Sequence, residues 1–241
     1  RSQQKYSKKH SAGFSLIEFL VASVLSMIVL IAIGSGTVND LTKYAAAQRG
    51  KPYLVVATAA SMNGYTATNA SLIEDGFKHS FAAAPPRAVI ADTGILAAAP
   101  KRLTRAGLGD TLCRSTVEAD ILLSHWLLGT DYPRALFERM RRHEAELIAL
   151  APAAREGDAS FVGKLMEALL DAGDAMTEHG SSAPASQSEH MVAHTLELMY
   201  GQEFRHMLHG EVVALTTLTM GQLHHKMLLS TPVVKPLPRE L

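Results

Sequence analysis

The 241-residue chain has one cysteine, Cys113, and one tryptophan. A lone cysteine excludes an internal disulfide and is compatible with a reducing compartment. Cys113 itself reads as a small residue in a helix rather than a nucleophile. An excess of charge is also lacking, because Lys+Arg and Asp+Glu stand at 23 each. There is no arginine-rich helix and no basic platform interleaved with aromatics, so nucleic acid is not expected as a partner. Internal repeats and low-complexity tracts are missing too. The hydrophobic content of 47% suffices for one large domain or two small ones.

Histidine, by contrast, is plentiful at 11 residues, and its placement is ordered. In Glu189-His190-Met191-Val192-Ala193-His194 two imidazoles stand one helical turn apart. A third, His209, opens a His-Gly-Glu turn 19 residues after the first, and Gly107-Leu108-Gly109-Asp110 supplies a carboxylate upstream. Neutral imidazoles with a carboxylate suit a divalent metal that keeps one position open for substrate, and Zn²⁺, Fe²⁺ and Ni²⁺ all accept such donors. Spacing alone leaves a histidine-rich exposed helix as the competing reading.

Long hydrophobic runs are scarce, with one exception. Residues 1–10 are polar and basic, and residues 14–33 (FSLIEFLVASVLSMIVLIAI) then run 20 residues with one charge, Glu18. That is close to the length that crosses a hydrocarbon core of ~30 Å. The Gly13-Phe14 junction followed by Glu18 resembles a type IV prepilin leader over about residues 8–33. It raises membrane contact through residues 14–33 as one expectation. The end of the run reads differently. Residues 27–33 (MIVLIAI) are rich in β-branched side chains and lead into Gly34-Ser35-Gly36, as a parallel strand buried on both faces does.

After that strand come Gly34-Ser35-Gly36-Thr37-Val38-Asn39-Asp40 and a helical pattern. A small-residue turn between strand and helix lets backbone N–H groups and the helix dipole meet a phosphate. It also serves as a plain βα connection. A second strand pattern over residues 53–57 leads into Thr58-Ala59-Ala60-Ser61-Met62-Asn63-Gly64. Hydroxyls and an amide thus gather where a parallel strand ends, the place where open α/β sheets bind ligands. Residues 88–92 form a short apolar strand after a Pro85-Pro86 loop. Segments 95–106, 111–128, 133–151, 159–173, 187–200 and 210–229 then carry a helical period. Ser186 or Ser188 is placed to cap the histidine helix. The expected division is a leader at 1–28, a partial nucleotide-binding α/β segment at 29–94, a helical metal-binding domain at 95–230, and a proline-bearing tail at 231–241.

The stretches GSGTVNDLTKYAAA, ATAASMNGYTATNAS, PPRAVIAD, AGLGDTLCR, LLSHWLLGT, PASQSEHMVAHTLELM and LHGEVVALTTLTM are collinear over about residues 29–229. Together they resemble the iron-containing alcohol dehydrogenase and dehydroquinate synthase superfamily, and within it the sn-glycerol-1-phosphate dehydrogenases. The resemblance implies that Asp110, His190 and His209 are the metal ligands. It implies that Gly34, Ser35, Gly36 and Asp40 form the pyrophosphate-binding turn, and that Thr58 and Ser61 line the nicotinamide cofactor. Asn63 falls near the substrate, where relatives often carry aspartate. Lys78 is a candidate for the substrate phosphate, against the plainer reading of a solvated lysine. His194 is a candidate proton relay, against that of a core histidine bonded to a carbonyl. Glu211 is expected to orient His209, and His206, His224 and His225 to lie on the surface. The implied reaction, part of phospholipid biosynthesis, is reversible hydride transfer between NAD(H) or NADP(H) and dihydroxyacetone phosphate. It gives sn-glycerol 1-phosphate, with one divalent metal (Zn, Fe or Ni) polarising the carbonyl. A cytoplasmic homo-oligomer acting on a small phosphorylated substrate follows from the same resemblance.

This chain departs from the family at its start. A whole member carries a further α/β segment before the glycine turn, where this chain has the prepilin-like leader. The expectation is therefore an N-terminally truncated cofactor sheet, with a bared strand edge and apolar face, weakened cofactor affinity, and a metal site that still forms. Two other classes compete. One is a pilin-like protein anchored in the inner membrane, carried by residues 8–33 alone. The other is a dehydroquinate synthase-like lyase, which normally carries glutamate where Asp110 stands.

Overall fold

The computed structural model describes residues 28–229, apart from 75–76, 155–156 and 205. Most of the leader-like stretch and the whole 231–241 tail lie outside the described residues. Among the described residues the chain opens as a β-α-β unit: Leu30–Gly34 (β1), Gly36–Gln48 (α1) and Tyr53–Ala57 (β2). β1 and β2 pair in parallel, with Ala32 opposite Val55 and Gly34 opposite Ala57. A hairpin of Asn69–Glu74 (β3) and Phe77–Ala82 (β4) follows, which the sequence reading had not foreseen. Ala88–Ile90 (β5) then joins the far side of β2, giving the order β1-β2-β5.

Parallel strands put the ends of β1 and β2 on one edge of the sheet, so the glycine turn and the Thr58 segment emerge side by side. Ala32, Tyr53, Val55 and Ala57 are buried, whereas Ile31 and Ile33, on the alternate positions, are 50% and 66% exposed. Parallel sheets are ordinarily covered on both faces, so among the described residues this sheet shows an apolar face. Among the described residues β1 is also an edge strand.

Helices make up the rest: Thr93–Ala98 (α2), Lys101–Leu112 (α3), Arg114–Leu128 (α4), Arg134–Ala149 (α5), Ala151–Ala154 (α6), Ala159–His179 (α7), Ser188–Met199 (α8), Gly201–Phe204 (α9) and His209–Leu228 (α10). They follow the predicted segments with several differences: Ala99-Pro100 splits the 95–106 segment into α2 and α3, and α3 runs on through residues 107–110, which were expected to lie between helices. The chain breaks at Cys113 between α3 and α4, and α7 runs on to His179, where Gly180 closes it at φ 77°. No helix among the described residues is long and apolar enough to cross a membrane.

Two cores share α7. Its Phe161, Val162, Leu165 and Leu169 pack with the buried face of the sheet and with Leu96. Its Ala175 joins Cys113, Val117, Phe137, Met140, Ala193, Val212 and Val213 in the helical half. At ~1.5 Å per residue this helix is a rod of roughly 30 Å that sets the sheet and the helical half relative to each other. The segment between β2 and β3 is pinned from inside by Lys43. Its fully buried ammonium donates to the carbonyls of Gly64 at 2.7 Å, Ala67 at 2.9 Å and Asn69 at 3.0 Å. All three of its N–H groups thus have an acceptor.

Candidate metal centre

Asp110 lies in the last turn of α3, His190 in the first turn of α8, and His209 is the first residue of α10. Their ligand atoms lie within 4.8 Å of one another. Glycines make that convergence possible. A Cβ on Gly210 would stand 2.6 Å from the carbonyl carbon of Ala106, and one on Gly109 would stand 2.9 Å from Ala214 Cβ. Ordinary carbon contacts are ~3.5–4.0 Å. α3 and α10 therefore cross backbone to backbone, and the crossing sets Asp110 beside His209. Gly107 allows a similar approach to the segment after β2, since its Cβ would stand 2.8 Å from the carbonyl carbon of Ala60.

The Asp110 carboxylate is buried. Its Oδ2 accepts the backbone N–H of Asn63 at 2.9 Å, so the described contact of Asn63 with the site runs through its main chain. Oδ1 has no hydrogen-bond partner and lies 3.4 Å from His190 Nε2. The other nitrogen of His190, Nδ1, is 2.8 Å from Glu189 Oε1. Glu189 is fully buried and is itself held by the N–H of Gln187 at 2.9 Å and the hydroxyl of Thr116 at 3.2 Å. Burial pushes Asp110 upward, but the His190 and His209 imidazoles and the Asn63 N–H outweigh it and hold the carboxyl below its usual range. Burial pulls His190 down, but Asp110, Cys113 and Glu189 outweigh it and raise the imidazole above its ordinary value. A buried imidazole between two carboxylates is a place for a cation, whether proton or metal, and a metal bound there displaces the proton. A buried carboxylate oxygen without a partner, beside two imidazoles, fits a divalent ion.

A second layer surrounds His209. Glu197, on α8, has Oε1 3.2 Å from His209 Nδ1 and Oε2 3.3 Å from His194 Nδ1. The rings of His194 and His209 stack, with centroids 5.3 Å apart and planes 6° apart. Lys78 reaches in from β4. Its Nζ is 3.3 Å from His209 Nδ1, 3.4 Å from His194 Nδ1 and 3.6 Å from Glu197. Lys78 and His194 thus stand beside the candidate triad, and Glu189 and Glu197 are the carboxylates that sequence reasoning missed.

Several expectations are corrected. Glu211 does not orient His209: it pairs with Arg102, Nε to Oε1 at 2.7 Å, and accepts the N–H of Leu208, just before α10, at 2.8 Å. Neither serine caps α8 with its side chain. Instead the N–H of Ser188 donates to Asp120 on α4 at 3.1 Å, a carboxylate supplied from another helix. His224 is not a free surface residue, because its Nε2 lies 2.8 Å from the same Asp120. Cys113 is buried, and desolvation pushes its thiol up to about 11, which leaves no reactive thiolate.

At the sheet edge, Ser35 begins α1 without a side-chain cap. The N–H of Thr58 donates to the carbonyl of Gly34 at 3.0 Å, joining the two candidate cofactor segments. Ser61, between Thr58 and Asn63, is half-buried. Asp40 is buried, with Oδ2 accepting the N–H of Ser71 at 3.1 Å and Oδ1 accepting from Asn39 Nδ2 at 2.9 Å. It ties α1 to the hairpin instead of facing outward from the turn. The chain from Thr58 to Asn63 runs from the glycine turn to the Asp110 carboxylate, so one short segment touches both.

A family model for iron-containing alcohol dehydrogenase matches residues 3–100. Residues 3–100 are thus similar to the iron-containing alcohol dehydrogenases. It is similar to a glycerol-1-phosphate dehydrogenase (NAD(P)+) from Pyrococcus furiosus, with 39% identity over 200 residues covering 80% of this chain and 55% of the relative. The enzyme of the same name from Geobacillus stearothermophilus is 33% identical over 204 residues, covering 84% and 50%. The chain thus spans about half the length of the curated relatives it matches. A probable glycerol dehydrogenase from Sinorhizobium meliloti superposes with a TM-score of 0.64 at 23% identity, covering 84% of this chain and 59% of that one. A sulfoacetaldehyde reductase from Bifidobacterium kashiwanohense, solved with NAD+, gives a TM-score of 0.57 at 17% identity, covering 89% and 60%. At such identities the likeness is one of fold, and it agrees with the expected class: a parallel α/β part, here a small sheet among the described residues, followed by a helical part.

Proposed function

We propose that this chain carries out the chemistry of a metal-dependent, NAD(P)-linked glycerol-1-phosphate dehydrogenase. The observation that carries the reading is the meeting of Asp110, His190 and His209 at the end of the segment that starts beside the glycine turn. When bound, the metal supplies Lewis-acid polarisation of a carbonyl oxygen and the dinucleotide supplies the hydride. The chain's own residues do the rest. Asp110, His190 and His209 would hold a divalent ion (Zn²⁺, Fe²⁺ or Ni²⁺). Gly34, Ser35 and Gly36 present backbone N–H groups at the start of α1 for a pyrophosphate, and Thr58 and Ser61 follow along the same edge. Lys78 contributes the cation suited to a phosphorylated substrate such as dihydroxyacetone phosphate, near the half-buried side chain of Asn63. His194 is 41% exposed, and Glu197 engages its Nδ1. Its Nε2 is left to move a proton between solvent and the site. The use of NADH or NADPH puts the reaction on the cytoplasmic side, and a homo-oligomer completes the proposal.

The test is oxidation of NADH or NADPH by the metal-loaded chain with dihydroxyacetone phosphate, beside an EDTA-treated sample and Asp110→Ala. Turnover that disappears in both controls is the expected result. Absence of turnover in a chain that binds one metal per molecule would overturn the proposed activity while leaving the metal site standing.

A further inference from the structure

Two carboxylates flank the metal triad, and each engages the Nδ1 of a candidate ligand: Glu189 that of His190 and Glu197 that of His209. Glu189 is enclosed and fixed by two further donors. Glu197 is different. It is half-buried, sits two turns along α8 from His190, and faces three groups at once: His209, His194 and the Lys78 ammonium. Those groups set up a conflict at a single atom. His209 Nδ1 lies 3.2 Å from a carboxylate oxygen and 3.3 Å from an ammonium. It can donate a proton to the first or accept one from the second, but not both. Donation to Glu197 leaves the lone pair on Nε2, the only nitrogen then able to ligate. Acceptance from Lys78 puts the proton on Nε2 and removes His209 from the ligand set. The partner of Nδ1 therefore decides whether His209 is a ligand.

We propose that Glu197 is a positioning residue that fixes the tautomer of His209, directing its Nε2 to the metal, while holding Lys78 and His194 around the same carboxylate. The proposal rests on the metal reading of Asp110, His190 and His209. The plainer account makes Glu197 only the counter-ion of Lys78, and the two differ in the effect of removing Lys78. If Glu197 serves His209, Lys78→Met takes away the competing donor and metal binding is at least as tight as in the parent. If Glu197 serves Lys78 alone, Lys78→Met and Glu197→Gln act alike.

The experiment uses the full chain with Glu197→Gln, Glu197→Asp and Lys78→Met. In the metal-free proteins, nitrogen NMR of the histidine rings reads the tautomer of His209. Zinc affinity is then measured by competition with a chromophoric chelator, and metal-free melting is the control for folding. The expected result is a His209 protonated on Nδ1 in the parent and a mixture in Glu197→Gln. Zinc binding should weaken about 10- to 100-fold in Glu197→Gln, the usual effect of losing such a partner. It should be largely restored in Glu197→Asp and undiminished in Lys78→Met, with metal-free melting near that of the parent throughout. A parent His209 protonated on Nε2 would overturn the proposal. So would zinc affinity in Glu197→Gln within threefold of the parent, or a loss of affinity that tracks a loss of metal-free stability. A parent that binds no zinc would refute the metal reading itself, whereas normal zinc binding by parent and Glu197→Gln alike would refute only the role of Glu197.

Discussion

Replacing Gly210 by alanine probes the link between backbone packing and the metal centre. The added methyl would fall 2.6 Å from the carbonyl carbon of Ala106 and 3.1 Å from its Cα. Backbone atoms cannot rotate aside, so α10 must withdraw from α3 by roughly 1 Å to restore a carbon contact of ~3.6 Å. Overpacking of this kind costs about 1–3 kcal/mol. For a chain of this size that is a fall in melting temperature of roughly 2–12 °C. The displacement matters more at the site. His209 precedes Gly210, and metal sites tolerate ligand displacements of only ~0.2 Å. Metal affinity should therefore fall at least about tenfold. Gly221 in the same helix gives the contrast, because a Cβ there meets only Thr116 Cγ2 at 4.0 Å. Gly221→Ala should stabilise by about 0.5–1 kcal/mol through helix propensity and leave metal binding alone. Thermal melting and chelator competition on the two variants read both quantities. If Gly210→Ala melts and binds metal as the parent does, the argument that glycine contact sets the Asp110–His209 geometry is wrong.

Three further outcomes follow from the same structure. Asp110→Asn keeps the shape of the side chain but removes its charge, and should lower zinc affinity more than 100-fold by an order-of-magnitude estimate; equilibrium dialysis showing retained stoichiometric metal would remove Asp110 from the ligand set. Asp120→Ala leaves the first N–H of α8 and His224 without their acceptor and should cost about 1–2 kcal/mol, the scale of a lost helix cap; urea denaturation at parent stability would contradict it. Lys43 is pulled down to about 8 by burial, partly opposed by Asp40, against an ordinary 10.5 in the unfolded chain. Between about pH 8 and 10.5 the unfolded chain holds more of this proton, so this group's contribution to stability rises with pH across that window and is lost as pH falls toward 8. Lys43→Met should remove that slope and, by stranding three carbonyls, destabilise by about 3 kcal/mol or more at pH 7; parallel urea profiles for parent and variant from pH 8 to 10 would count against it.

What could be read in advance was what repeats locally. The helical period placed five of six segments, missing the break at Ala99-Pro100, and the β-branched run before Gly34 marked β1, because both report which face of an element is buried. The hairpin of β3 and β4 went unseen although Asp75-Gly76 lies between its strands, a dipeptide that signals a hairpin when alternating patterns flank it. Its alternation is blurred by Lys78 and His79. Lys78 is the residue of β4 that reaches His194 and His209, so the residue that weakens the strand signal is the one that meets the candidate site.

The errors at the site have one physical origin. Glu211 is two residues from His209, and Ser188 stands at the very start of α8, so nearness in sequence suggested both as partners. In the fold Arg102, over a hundred residues away, takes Glu211, and Asp120, 68 residues away, takes Ser188. His209, in turn, is oriented by Glu197 from a different helix. A carboxylate binds whichever donor the packing delivers, and here packing is set where helices cross on glycine. The glycines of AGLGD and LHG were legible as motif members, but their physical work is to bring α3 and α10 into backbone contact. That contact makes Asp110 and His209 neighbours across 99 residues of chain, and it places α10 where Glu197 of α8 can meet its first residue. The candidate ligands could therefore be named from residue type, whereas the partners that meet them depend on crossings that no local pattern encodes.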